Sequence, residues 1–185
     1  MKILAISGSL RAASINSALL RATKELAPPG IIIDMYSEIG DLPLFNPDLE
    51  SAIPVTVKRF RHQISEADAL LIASPEYAHG VTGAIKNALD WLVSYGPFAN
   101  KPVAILNASP RSQHADASLR ETLKTMAAHI VEPASVTIPV LGAGLDEWGM
   151  VNSPSISEAI RMVLDRLEKD LGLRKTRSDA SFPLQ

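Results

Sequence analysis

A chain of 185 residues with 46% hydrophobic and 21% charged side chains has the size and composition of one folded domain, which argues against a disordered or fibrous protein. Eighteen Lys and Arg against 20 Asp and Glu leave a formal charge of −2, so no basic field is available to hold nucleic acid or an anionic membrane. The absence of cysteine excludes disulfides, thiolate metal sites and thiol redox catalysis, so any electron transfer needs a bound cofactor.

The first apolar run, Ile3 to Ile6, is short for the core of a secretion signal, and no run nears the roughly 18 residues of a membrane span. A cytoplasmic location is therefore expected. The run reads as a strand, followed by Ile15, Leu19, Ala22 and Leu26 at helical spacing up to Pro28-Pro29-Gly30. Ile31 to Ile33 predicts a second strand, and Val57, Phe60 and Ile64 predict an amphipathic helix. Ala69 to Ala73 is a third strand, apolar throughout and so expected at the centre of a sheet. Ile85, Leu89 and Leu92 predict a helix with Lys86 and Asp90 four apart on its surface, before a fourth strand at Val103 to Leu106. Leu119, Leu123, Met126 and Ile130 continue at helical spacing, and Val136 to Ile138 is a weaker fifth strand. A last helix carries Ile160, Val163, Leu164, Leu167 and Leu171, with Ser155 and Glu158 in capping-box spacing and Gly172 at its expected end.

This alternation predicts one doubly wound, three-layer α/β domain over residues 1–172, of flavodoxin-like size, with a five-stranded parallel sheet in the order 2-1-3-4-5 and helices on both faces. Residues 173–185 read as a polar tail. Two connections, 37–54 and 141–154, exceed the usual ~4–6 residues, and either serves a ligand or partner or is a plain surface excursion.

Ligands of open α/β sheets bind beyond the carboxyl ends of the strands, so the turns after strands one, three and four carry the functional information. The first, Ser7 to Asn16, has neither dinucleotide-fingerprint glycines nor a Walker Gly-Lys-Ser/Thr. It does offer the hydroxyls of Ser9 and Ser14, the amide of Asn16, the fork of Arg11 and a helix start with free N–H groups, a set suited to a terminal phosphate. An ordinary N-cap beside a surface arginine would show the same residues. In the second turn, Pro75-Glu76-Tyr77-Ala78-His79-Gly80 can present an aromatic face and backbone N–H groups to a planar ring, with Tyr77 as the stacking candidate. His79 is a lone loop histidine and is not assigned as a base. The third turn, Asn107 to Asp116, has small polar residues for the other side of such a ligand, with Ser109 and Arg111 as candidates and Arg111 placed to attract the phosphates of an anionic reductant. His79 and His114 lie in separate turns with no carboxylate at a fixed offset, so no metal site is expected.

Taken together, the three turns resemble the NAD(P)H-dependent FMN reductase and quinone reductase family of flavodoxin-like proteins, over most of the chain. Gly8-Ser9-Leu10-Arg11-Ala12-Ala13-Ser14-Ile15-Asn16 is similar to its phosphate loop at every fixed position. Gly40 to Asn46 resembles its Asp-Leu-Pro-Leu-aromatic segment, and Pro75-Glu76-Tyr77 with Gly80, Gly83, Lys86-Asn87 and Leu89-Asp90-Trp91 resembles its flavin loop. The resemblance implies FMN held non-covalently at Ser9, Arg11, Ser14, Ile15 and Asn16, with Pro75, Glu76, Tyr77, Ala78, His79 and Gly80 along its ring. It also implies NAD(P)H as co-substrate and a homodimer or homotetramer. Two departures stand out. Ala78 and Thr82 replace the usual Asn and Pro, so a ring-side amide is lost and the loop is expected to be less constrained; the turn after strand four lacks the usual glycines.

The expected activity is an FMN-dependent oxidoreductase in which the flavin carries the hydride, with no protein nucleophile. Its kinetics are expected to be ping-pong, with quinones, free flavin, azo compounds or metal oxyanions as small-molecule acceptors. The alternative is a flavodoxin-like electron carrier or a regulatory flavin-binding protein with little nicotinamide turnover; no Gly-x-Ser-x-Gly elbow supports a serine hydrolase. Trp91, Tyr95 and Phe98 form either part of a homo-oligomer interface or an internal contact.

Overall fold

The computed structural model describes the backbone of residues 1–180 and the side chains of residues 1–174. Six parallel strands are present: β1 (Lys2–Ser7), β2 (Ile32–Tyr36), β3 (Ala69–Ala73), β4 (Pro102–Asn107), β5 (His129–Ile130) and β6 (Val136–Thr137). The sheet runs β2-β1-β3-β4-β5, with β6 also paired to β4, which is the flavodoxin-like order. All positions of β3 and β4 are buried, as expected for strands covered on both faces, whereas the edge strand β2 alternates and leaves Ile32 and Asp34 exposed.

Side chains alternate across the strands and feed two cores. Ile3, Ala5, Leu71 and Leu106 face α1 (Ile15–Glu25) and α6 (Pro154–Ala180). Leu4, Ile6, Leu70 and Ile105 face α2 (Val55–Glu66), α3 (Gly83–Asp90) and α4 (Gln113–Thr125). The short helix α5 (Glu147–Asn152) packs on α1 and is tied to it by a bidentate Arg21–Glu147 pair at 3.1 and 3.0 Å. Among the described residues, no helix is long and apolar enough to cross a membrane.

Four expectations change. Ile130 is on β5 rather than on the α4 stripe, because the chain leaves the helix at Ala127, whose φ is +57°. The fifth strand is split: β5 pairs with the first half of β4 and β6 with the second, separated by a 3-10 turn at Glu132–Ala134. α6 begins at Pro154, a residue suited to the first helical position, so Ser155 lies inside the first turn and is not its cap. Gly172 keeps a right-handed helical backbone and α6 runs through it to Ala180, while residues 181–185 of the expected tail lie outside the described residues.

The connection 37–54 contains 3-10 turns at Ile39–Asp41 and Pro47–Ala52 and is pinned from α3. Asn87 donates through Nδ2 to the carbonyls of Leu42 and Pro43 at 3.3 and 3.0 Å, and its Oδ1 accepts from the Phe45 N–H at 2.8 Å. Trp91 adds an Nε1–H bond to the Pro43 carbonyl at 2.7 Å and an edge-on contact with Phe45. Trp91 and Phe98 are fully buried, so the internal reading of that aromatic cluster holds for both. Beneath them the buried Arg61 donates to the Trp91 carbonyl and to Glu50, closing the same connection from α2.

Candidate functional site

The turns after β1, β3 and β4 converge on a cleft of about 260 Å³ at the carboxyl end of the sheet. Its lining includes Ser9, Arg11, Ser14, Ile15 and Asn16 from the first turn, Pro75, Glu76 and Tyr77 from the second, and Ser109 from the third. Sequence reasoning left out Leu141, which reaches the cleft from the 141–154 connection. Asn107, the first residue of the expected third turn, also lines the cleft, and its Oδ1 accepts from the Ser109 N–H and so shapes that turn. The length of the 141–154 connection was the available signal for Leu141.

The first turn is built by short-range bonds. Ser9 N–H donates to Ser7 Oγ, Arg11 N–H to Ser9 Oγ, and Ser17 N–H to the α1 cap Ser14 Oγ, each at 3.3 Å. The accepting sides of Ser9 and Ser14 are thus used within the loop, which leaves their O–H donors for an anion. Asn16 lines the cleft at 4% exposure, and its buried Oδ1 has no hydrogen-bond partner among the described residues. Arg11 is exposed, and no described carboxylate pairs with it. With the start of α1 directed here, the set has the donors and dipole that an anion requires.

Gly8 joins the first turn to the second. A Cβ there would lie 2.2 Å from Ser74 Oγ and 2.7 Å from Ser74 Cβ, so no larger residue fits this approach. Across it, Thr82 Oγ1 donates to the Gly8 carbonyl at 2.6 Å and accepts the Ile85 N–H as the cap of α3. The loop expected to be loosened by Thr82 is therefore held by it.

The second turn is a two-residue hairpin. Tyr77 and Gly80 exchange N–H···O bonds at 3.1 and 3.0 Å, and the central residues Ala78 and His79 have φ of +49° and +59°. Both lie in the left-handed region, which costs an ordinary side chain about 1–2 kcal/mol. Asn or Gly tolerates this geometry, so a residue-type preference at position 78 has a backbone reason apart from any amide contact. Glu76 directs its carboxylate to the Ala115 N–H at 2.9 Å, where it serves the start of α4 in place of Ser112, whose side chain makes no cap bond.

Ala78, His79, Gly80 and Arg111, expected along the ligand, do not line the cleft. The reciprocal bonds of the hairpin carry its tip to α4, where the rings of His79 and His114 stack with centroids 4.3 Å apart and planes 15° from parallel. The separation of the two histidines in sequence hid this contact. No group of three metal-ligating side chains occurs among the described residues. Arg111 is exposed, with its backbone N–H on Ser109 Oγ at 3.1 Å.

A flavodoxin-like sheet with a donor-rich turn after β1 and an aromatic turn after β3 has the architecture of a class of nucleotide-type cofactor proteins, and sequence comparison makes the class specific. Residues 1–140 match the family described as NADPH-dependent FMN reductase, and the chain belongs to that family. It is 39% identical over 174 residues to an NAD(P)H-dependent FMN reductase of Pseudomonas aeruginosa, covering 91% of this chain and 94% of that one. A quinone reductase of Pseudomonas putida is 44% identical over 111 residues, 57% of this chain and 58% of that one. Among solved structures, FerB, a flavoenzyme NAD(P)H:(acceptor) oxidoreductase from Paracoccus denitrificans, superposes with a TM-score of 0.75 at 27% identity, over 91% of this chain and 97% of that one. The chain is an oxidoreductase of the class that combines FMN with NAD(P)H.

Proposed function

We propose that this enzyme holds FMN in the cleft, accepts reducing equivalents from NAD(P)H and passes them to a small-molecule acceptor, quinones foremost, by alternate use of one site. Convergence of the β1, β3 and β4 turns on a single cleft carries this reading. The polar set fits the cofactor: the hydroxyl donors of Ser9 and Ser14, the Arg11 guanidinium with no described carboxylate beside it and the start of α1 would meet a phosphate, and the Asn16 amide oxygen, an acceptor, would meet its adjoining hydroxyl-bearing chain. When bound, FMN supplies hydride acceptance at N5 and onward electron transfer.

The protein's own part is binding and orientation. Ser9, Arg11, Ser14 and Asn16 would hold the anionic end, and the backbone of Pro75 to Tyr77 together with Ser109 would hold the ring. Typical small-molecule pockets enclose roughly 300–1,000 Å³. The cleft lies just below that range, and alternate access by a reductant and an acceptor would require one side of the flavin to stay open. Tyr77, 58% exposed, stands beside that open side.

The test is an anaerobic titration of the FMN-loaded protein with NADH and then NADPH, followed by a benzoquinone. Bleaching of the oxidised-flavin band and its return on quinone addition are expected, with parallel double-reciprocal lines in the steady state. Bound flavin that neither nicotinamide bleaches would make the protein an electron carrier instead, and intersecting lines would overturn alternate use of the site. If the chain forms the homodimer or homotetramer that the resemblance implies, the contact avoids the buried Trp91 and Phe98, and light scattering measures the mass.

A further inference from the structure

Among the described residues, two non-glycine residues besides Ala78 and His79 have positive φ, Asn100 and Ala127. Ala127 closes α4: its N–H donates to the Lys124 carbonyl, the following N–H to the Leu123 carbonyl, and its own carbonyl accepts from Asn100. The local chain explains that geometry. At the hairpin tip the reciprocal Tyr77–Gly80 bonds impose positive φ on both central residues, but the residues there are not the Asn or Gly that such a turn favours. Alanine at 78 has neither the freedom of glycine nor a side chain able to bond its own backbone, and the Ala78 and His79 N–H groups have no acceptor among the described residues. Besides the Thr82–Gly8 bond at its base, two contacts reach the turn from the first residues of α4: Ala115 N–H on the Glu76 carboxylate at the stem, and the His114 ring on the His79 ring at the tip.

We propose that His114 is a positioning residue. Its ring braces His79, keeps the strained Ala78–His79 tip docked on α4, and thereby holds Pro75 to Tyr77 in register with the cleft. The inference rests on the reading of that cleft as the FMN site. It reaches a residue outside the cleft lining, in a turn where sequence spacing gives no reason to pair the two histidines. His114 is exposed, so the ring can be removed with little disturbance of the core.

The experiment compares FMN affinity, by quenching of flavin fluorescence, in wild type, His114→Ala, His114→Phe, Ala78→Asn and the Ala78→Asn/His114→Ala double variant. Loss of one aromatic brace is expected to weaken binding about five-fold. Phenylalanine, which keeps the stack, should restore affinity to within about two-fold. In the Ala78→Asn background, where the tip no longer opposes its residue type, the cost of His114→Ala should shrink to less than about two-fold. Hydrogen exchange of the Gly80 amide, bonded across the hairpin to Tyr77, is measured without FMN and should speed up in His114→Ala but not in His114→Phe. Unchanged Gly80 exchange or unchanged FMN affinity in His114→Ala would overturn the brace, as would an equal loss in both backgrounds. Failure of wild type to bind FMN would sink the cofactor reading, while Gly80 exchange would still judge the brace.

Discussion

The two principal walls of the cleft are held by opposite means. At the anion end the chain organises itself through neighbours, with side-chain-to-backbone bonds that span two or three residues. The ring wall is held from a distance: Glu76 reaches Ala115 across 39 positions, Thr82 reaches Gly8 across 74, and His79 lies on His114. A short-range site survives as a motif that can be read residue by residue. A long-range one is assembled only when the sheet brings its parts together, and its substitutions have to be judged against partners elsewhere in the fold.

The largest expected effect is at the self-contained end. Arg11→Ala removes a charge-assisted bond worth roughly 1.5–3 kcal/mol, so FMN affinity should fall ten-fold to a hundred-fold or more with the melting temperature unchanged. An equal loss of stability would show that this loop is not independent of the rest. Gly8→Ala strikes the joint between the walls and drives a Cβ into Ser74, which should destabilise by about 1–3 kcal/mol in urea unfolding and loosen FMN as well. Wild-type stability there would mean that the walls are not coupled through Gly8.

Thr82→Val deletes both the α3 cap and the bond to the Gly8 carbonyl, an expected cost of about 0.5–2 kcal/mol that Thr82→Ser should recover. Equal stability of the valine variant would count against Thr82 as the residue that restrains the turn. The smallest effect concerns the 141–154 connection, which brings Leu141 to the cleft and carries Glu147. The Arg21 guanidinium bonded to Glu147 holds that carboxyl below its ordinary value. A carboxylate depressed in the folded state stabilises above its unfolded pKa and loses that contribution as pH falls through the folded one. Wild type should therefore exceed Arg21→Met by under about 1 kcal/mol at neutral pH, with the difference vanishing in acid; a difference independent of pH would assign it to packing.

The legible part of the fold follows from continuous apolar runs. Ala69–Ala73 matches β3 residue for residue, and the alternation of strands and helices predicts the doubly wound class, in which 2-1-3-4-5 is the flavodoxin-like order. Ile130 and Ser155 misled because spacing alone cannot see that Ala127 has already turned the chain or that Pro154 has already begun a helix. Trp91 was ambiguous for a related reason. An aromatic residue suits an interface or a core equally well, and the Pro43 carbonyl that receives its N–H lies 48 positions away.

At the cleft, the phosphate-type loop was readable because each of its groups acts within its own turn. The substitutions at 78 and 82 were visible as departures, yet their meaning was not. Thr82 restrains where a loosened loop was expected, and Ala78 departs from an ordinary backbone conformation as well as lacking an amide. Residue type and spacing established the class of sheet and marked the three turns and the donor groups of the first, since these depend on local periodicity and short-range bonds. Folding decided which distant residues meet: Leu141 at the cleft, Glu76 at the start of α4, and two histidines 4.3 Å apart. Such contacts depend on how helices and turns dock across the sheet, a geometry that no short stretch of chain contains.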